Sequence, residues 1–181
     1  MTEKFRPMLL LAMPQLQDPN FERSVILLSD FLPDGAFGLV LNRPSGAPAS
    51  AVAQLEPPAE KANDMPLFVG GPVAPERGWI LVNEAPEDES REIVEGIYLS
   101  SSPALLRRVL ETHPPPRARV LAGHAGWGPG QLDAEIAESA WLMCDADLDL
   151  VFDVEPAAMW EAAIRRIGAD PSILHVSRGV H

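Results

Sequence analysis

The chain has 181 residues, is 46 % hydrophobic and carries a formal net charge of −12, which suits one domain over residues 1–181 that buries roughly 70 % of its extended surface without a staple. Its single cysteine, Cys144, excludes an internal disulfide and fits a reducing compartment. The acidity disfavours direct nucleic-acid binding, which relies on cations that neutralise phosphates and release counterions.

Met8–Ala12 and Ser24–Ser29 are short apolar runs of strand length, and Pro14 to Phe21 reads as the loop between them. The six apolar residues Met8–Met13 end at Pro14, too short for a secretory signal. No apolar run approaches the roughly 20 residues of a membrane span, so a cytosolic protein is expected. A Pro33-Asp-Gly35 turn precedes a third strand, Ala36–Asn42, and the three together suggest a meander or hairpin buried on both faces.

From Ser45 to Pro66 the chain is rich in Ala, Pro and Glu, with a short helix expected around Ala51–Leu55. Leu67–Val69 and Gly78–Val82 read as strands around the Gly70-Gly-Pro-Val73 turn. That turn lacks the Lys-Ser/Thr of a phosphate-binding loop. The acidic stretch Asn83–Glu92 is expected to be a mobile loop, and Ile97–Leu99 a strand. Ser102 reads as an N-cap with Pro103 at the first helical position, and Leu105, Leu106, Val109 and Leu110 form the apolar stripe of a helix to about Thr112.

Ala118–Ala122 predicts a strand that feeds a glycine-rich loop, Gly123–Gly130. Pro129 marks the next helix, with Leu132, Ile136 and Ala140 on one face. Leu148–Phe152 reads as a further strand. Glu155-Pro156 opens the last helix, in which Met159, Trp160, Ala163, Ile164 and Ile167 lie at helical spacing before Gly168. The tail Ile173–His181 has some β character. About eight short strands and three main helices predict a mixed α/β domain, with a mostly mixed or antiparallel sheet whose strand order is not readable.

The charge is unevenly placed. Val120 to Ile164 holds nine Asp or Glu and no Lys or Arg, and Glu84 to Glu95 sets six acids against Arg91. His124 beside Asp133 and Glu135 suggests catalysis or a metal, but no other histidine stands at ligand spacing, and no serine sits in a nucleophile elbow. No metal or cofactor is expected, and His124 reads as a hydrogen-bonded loop residue. Cys144, with acidic neighbours Asp145 and Asp147, reads as inert. Arg43 reads as the partner of an internal carboxylate or of a ligand. The glycine loop reads either as a crossover packed under Trp127 and Trp141, or as a binding edge where Trp127 stacks and Gln131 supplies an amide.

Several ordered blocks resemble the AlgH/YqgE family of bacterial proteins: Met8–Val25 at the start, Gly35–Pro44, Gly70–Val73, Arg77-Gly-Trp79, Gly130–Ile136 through Ala140-Trp-Leu142, then Asp153, Trp160 and Ile167-Gly168. The resemblance covers nearly the whole chain. It implies a cytosolic protein of mixed α/β fold, in a family named for a proposed role as transcriptional regulator of alginate synthesis. This chain departs from the family at His124, where a tyrosine is common, and at Ser29-Asp30, which replaces a usual Glu-His. A reaction depending on that histidine could not run here. Asn42, Gly71, Trp127, Gln131, Glu135 and Trp141 match the pattern.

The expected function is therefore non-catalytic and regulatory, through a small-molecule ligand or a protein partner. Its expected site gathers Asn42, Arg43, Gly70, Gly71, Trp127, Gln131 and Glu135, where three chain segments converge. The alternative is a hydrolase using Glu135 or Asp133 as base with Gln131 orienting a water. A DNA-binding regulator would need a basic face that the sequence lacks.

Overall fold

A computed structural model of the chain describes residues 5–16 and 18–172. The apolar runs do become strands: β1 (Met8–Ala12), β2 (Val25–Leu32) and β3 (Gly35–Val40) pair antiparallel as an up-and-down meander. Alternation splits their side chains between two cores. Val25, Leu27 and Leu39 enter one, while Ile26, Leu28 and Val40 enter the other, so the strands are buried on both faces.

After β4 (Pro44–Pro48), a four-residue helix α1 (Ala49–Val52), β5 (Pro66–Val69), β6 (Val73–Val82), β7 (Arg91–Val94) and β8 (Ile97–Ser100), the helix α2 (Pro103–Glu111) leads to β9 (Ala118–Trp127). β9 joins the two halves of the sheet. Along one edge it pairs with β6; along the other it pairs parallel with β5 over Val120–Ala122, then antiparallel with β3 over Ala125–Trp127. Every other pairing is antiparallel, and the strand path runs β10-β1-β2-β3-β9-β6-β8-β7, where β10 is Trp141–Cys144.

Three helices cover this sheet. On one face α4 (Pro156–Arg166) buries Met159, Trp160, Ala163 and Ile164 against Leu9, Leu27 and Leu39. On the other, α2 sets Leu105, Val109 and Leu110 over Ile80, Val82 and Val120. Next to it, α3 (Gln131–Ala137) sets Leu132 over Leu10, Ile26 and Val40. The α2 terminus is the one the sequence predicts: Ser102 accepts a hydrogen bond from the Leu105 amide at 3.3 Å, Pro103 opens the helix, and Arg108 stands in its last turn.

Five expectations need correction. Leu148–Phe152 is not a strand but lies at a π-helical turn, Asp149–Asp153. A short apolar run has no periodicity to separate the two, and side chains decide: Asp147 Oδ1 accepts from the Asp149 amide at 2.8 Å, and Arg117 bridges Asp149 and Asp153. The helix after Pro129 stops at Ala137, because Ser139 takes a positive φ of 61° and the Ala140 amide turns back to Glu135 O at 2.9 Å. Ala140 then precedes the unpredicted strand β10, which pairs with β1. The stretch Asn83–Glu92 is anchored: Ser100 Oγ donates to Glu89 O at 2.7 Å, Asp88 pairs with Arg108, and Arg91 and Glu92 belong to β7. Finally, Gly123–Trp127 is strand and not loop, and α1 begins two residues ahead of its expected place. The tail Ile173–His181 lies outside the described residues.

Candidate ligand-binding cleft

Gly71, between β5 and β6, and Gly123 of β9 serve a close crossing. A Cβ on Gly71 (φ +151°) would lie 2.1 Å from the His124 carbonyl carbon, and one on Gly123 (φ +80°) would lie 2.3 Å from Gly71 O. No side chain fits either place. The Gly70-Gly71 turn therefore lies directly on Gly123-His124, with the Gly70 amide donating to Ala122 O at 2.8 Å. Arg43 joins them by its backbone, its carbonyl accepting from Val69 N at 2.7 Å.

The side chains of Asn42 and Arg43 turn elsewhere. Buried Asn42 accepts from the Val25 amide and donates to Arg23 O, each at 3.0 Å. The Arg43 guanidinium donates to the carbonyl of Glu22. Both pin the segment before β2, so the three segments meet through backbone at Gly70, Gly71 and Gly123.

Around Glu135 the signature residues form one hydrogen-bonded node. Trp127 Nε1 and Trp141 Nε1 both donate to Glu135 Oε1, at 3.0 and 2.9 Å, and Gln131 Nε2 donates to Oε2 at 3.0 Å. Gln131 Oε1 in turn accepts from the Gly128 amide at 3.0 Å. The two indoles are buried and meet edge to face, their ring centroids 6.1 Å apart. Asp133 is exposed and outside this node. Three donors thus hold both Glu135 oxygens, and the arrangement fixes Trp127.

Trp127 also lines a cleft of about 930 Å³ between the two halves of the sheet. One wall is the β2–β3 end, Asp30 to Phe37; the other is Glu89–Arg91 and Ser100–Pro103; Trp79 and Leu99 lie between. Across it Arg91 donates to both Asp30 oxygens, at 2.8 and 2.9 Å, while Ser29 Oγ donates to Asp30 Oδ2 at 2.9 Å. The Arg91 hydrogen bonds hold the Asp30 carboxyl below its ordinary range, and those same bonds raise the Arg91 guanidinium.

An aromatic row runs from this cleft onto β9. Phe37 meets Trp79 edge to face, centroids 5.2 Å apart, and stacks on His124 at 4.6 Å. Arg77 lies over the Trp79 ring at 4.6 Å. Burial, then the nearby Arg77 charge, lowers the His124 pKa. Its Nδ1 is buried without a partner, as is Trp79 Nε1, so His124 is a stacked strand residue and not the hydrogen-bonded loop residue expected. Buried Cys144 has a raised pKa, chiefly from burial and then from Asp145. Among the described residues no three His, Cys, Asp or Glu side chains converge as metal ligands.

Residues 9–172 match the sequence profile of the AlgH-like family. The chain belongs to that family. It is 41 % identical over 179 residues to a UPF0301 protein of Myxococcus xanthus, covering 97 % of each chain. It is 40 % identical over 176 residues to a UPF0301 protein of Ruegeria pomeroyi, covering 94 % of this chain and 96 % of the relative. The solution structure of the AlgH protein from Pseudomonas aeruginosa superposes with a TM-score of 0.77 at 34 % identity over 97 % of both chains. That likeness matches the mixed α+β architecture with its large, mainly antiparallel sheet. A Corynebacterium diphtheriae crystal structure, at 22 % identity and a TM-score of 0.70 over 97 % of this chain and 92 % of that one, shares the fold.

Of the seven residues expected to form the site, only Trp127 lines the cleft; Gln131 and Glu135 stand behind it. Asp30, Phe37, Trp79, Arg91 and Ser100 were not anticipated there. Two signals pointed towards them: Arg91 is the one base of an acidic stretch, and Phe37 and Trp79 sit inside family blocks.

Proposed function

We propose that this chain is a non-catalytic cytosolic binding protein whose regulatory role depends on a small ligand held between its two sheet halves. The cleft carries this reading. Its volume of about 930 Å³ lies near the top of the roughly 300–1,000 Å³ range of small-molecule sites, and aromatic surface beside a few polar groups is the usual lining. Trp127 links it to the family signature, since Glu135 and Gln131 hold that ring in place.

The node weighs against Glu135 as a general base. Both its oxygens are engaged by three donors, and a base must reach the proton that it removes. The charge of −12 weighs against direct DNA contact.

A thermal-shift screen of small metabolites, run on the wild type and on Phe37→Ala, tests the proposal. A ligand at a hundred times its Kd adds about 2.7 kcal/mol, roughly 5–10 °C for a chain of this size. A shift that disappears in the variant supports the cleft. A shift of the same size in Phe37→Ala places the ligand elsewhere and refutes it.

A further inference from the structure

We infer that the cleft takes a small organic cation with an aromatic or alkyl body, an inference that rests on the proposed reading of the cleft as a ligand site. Charge decides the class. The lining holds one base, Arg91, and Asp30 engages both of its terminal nitrogens. Two carboxylates are left over, one on each wall: Asp34 from the β2–β3 turn and Glu89 from the β6–β7 connection, both exposed. A chain of charge −12 adds its own field, and a concave, low-dielectric lining concentrates it. An anion entering here meets no unpaired cation in the lining.

Aromatic surface decides the body. Phe37, Trp79 and Trp127 also line the cleft, and aromatic faces attract an ammonium or guanidinium group within about 6 Å. Trp79 already accepts such a group, because the Arg77 guanidinium lies 4.6 Å from its ring centroid. Arg77 does not line the cleft, yet its charge beside Trp79 opposes a second cation. Asp34, Glu89 and Arg77 are all exposed, so their substitution leaves the core intact; at Asp34 and Glu89 it changes the field, and at Arg77 it also uncovers the Trp79 face.

The test uses three probes of one shape, phenethylamine, phenethyl alcohol and phenylacetate, titrated into the full chain. Binding is read from the four tryptophan indole N–H resonances, with that of Trp79 assigned through Trp79→Phe. Phenethylamine is expected to move the Trp79 signal at the lowest concentration and phenylacetate to leave it unmoved. The pair Asp34→Asn and Glu89→Gln is expected to weaken phenethylamine roughly threefold to tenfold, and Arg77→Gln to tighten it. If phenethyl alcohol or phenylacetate binds at Trp79 as tightly as the amine, the cation class is wrong and the cleft reading stands. If none of the three moves the Trp79 signal, the cleft reading fails, and the inference with it.

Discussion

Glu135→Leu is the substitution that most directly tests the node behind the cleft. Leucine keeps most of the side-chain bulk and removes both acceptor oxygens, so Trp127 Nε1 and Trp141 Nε1 lose the partner they share at 3.0 and 2.9 Å. Both indoles are buried, at 6 and 3 % exposure, and water does not readily replace the carboxylate. A buried donor left unpaired costs about 1–3 kcal/mol, so the two together cost on the order of 4 kcal/mol. For a chain of this size that lowers Tm by roughly 8–16 °C. Glu135→Gln keeps one carbonyl oxygen with two lone pairs for the indoles and disturbs chiefly the Gln131 contact, a loss of about 1 kcal/mol. Calorimetric melting and urea titration of both variants measure the difference. If both variants stay within about 1 kcal/mol of the wild type, the node does not hold the two rings, and its link to the cleft falls.

Further outcomes follow from the same geometry. Gly71→Ala is expected to cost about 3 kcal/mol or more, since its Cβ would meet the His124 backbone at 2.1 Å; Gly128→Ala, with only Gln131 Oε1 at 4.0 Å, is expected to be neutral or slightly stabilising in the same urea titration. Asp30 has a depressed carboxyl pKa, so its share of stability is present above the unfolded value near 3.9 and is lost as pH falls through the folded one. Both partners are more than a third exposed, at 34 and 51 %, which limits that share to about 0.5–1 kcal/mol; Asp30→Asn is expected to flatten the acid limb of the stability profile by that amount. His124 also has a lowered pKa, but as a base it loses stability when pH drops below the unfolded value of about 6.5. His124→Gln is expected to remove that loss between pH 7 and 5, measured by Tm.

Much of the fold was legible because it is written locally. The runs Met8–Ala12, Leu67–Val69 and Ile97–Leu99 became strands, and the Ser102-Pro103 start fixed α2. The failures share a cause too. Leu148–Phe152 carries five residues of strand-like composition, and only Asp147 and Arg117, outside the run, wind it into a π turn. Pro44–Pro48 and Trp141–Cys144 are strands because β5 and β1 offer them an edge, not because their own sequence alternates. The glycines from 123 to 128 suggested a loop, since glycine density marks either a turn or a backbone crossing. Only the position of Gly70-Gly71 against them shows that most of that stretch is a crossing.

The candidate site divides along the same line. Gln131 and Glu135 stand four apart on one short helix, with Trp127 eight residues before Glu135 and Trp141 six after it, so chain geometry alone brings the node together. The cleft has no such address. Asp30 and Arg91 are 61 residues apart, and they face each other only because β9 carries β3 on one edge and β6 on the other. That double pairing needs the glycines: an alanine at 71 or 123 would force the β5–β6 turn off β9. The glycine-rich segment thus bears on the proposed ligand site without its glycines lining the cleft. It sets the distance between two walls whose side chains come from elsewhere, which is why the most conspicuous motif in the sequence and the cleft share a single residue, Trp127.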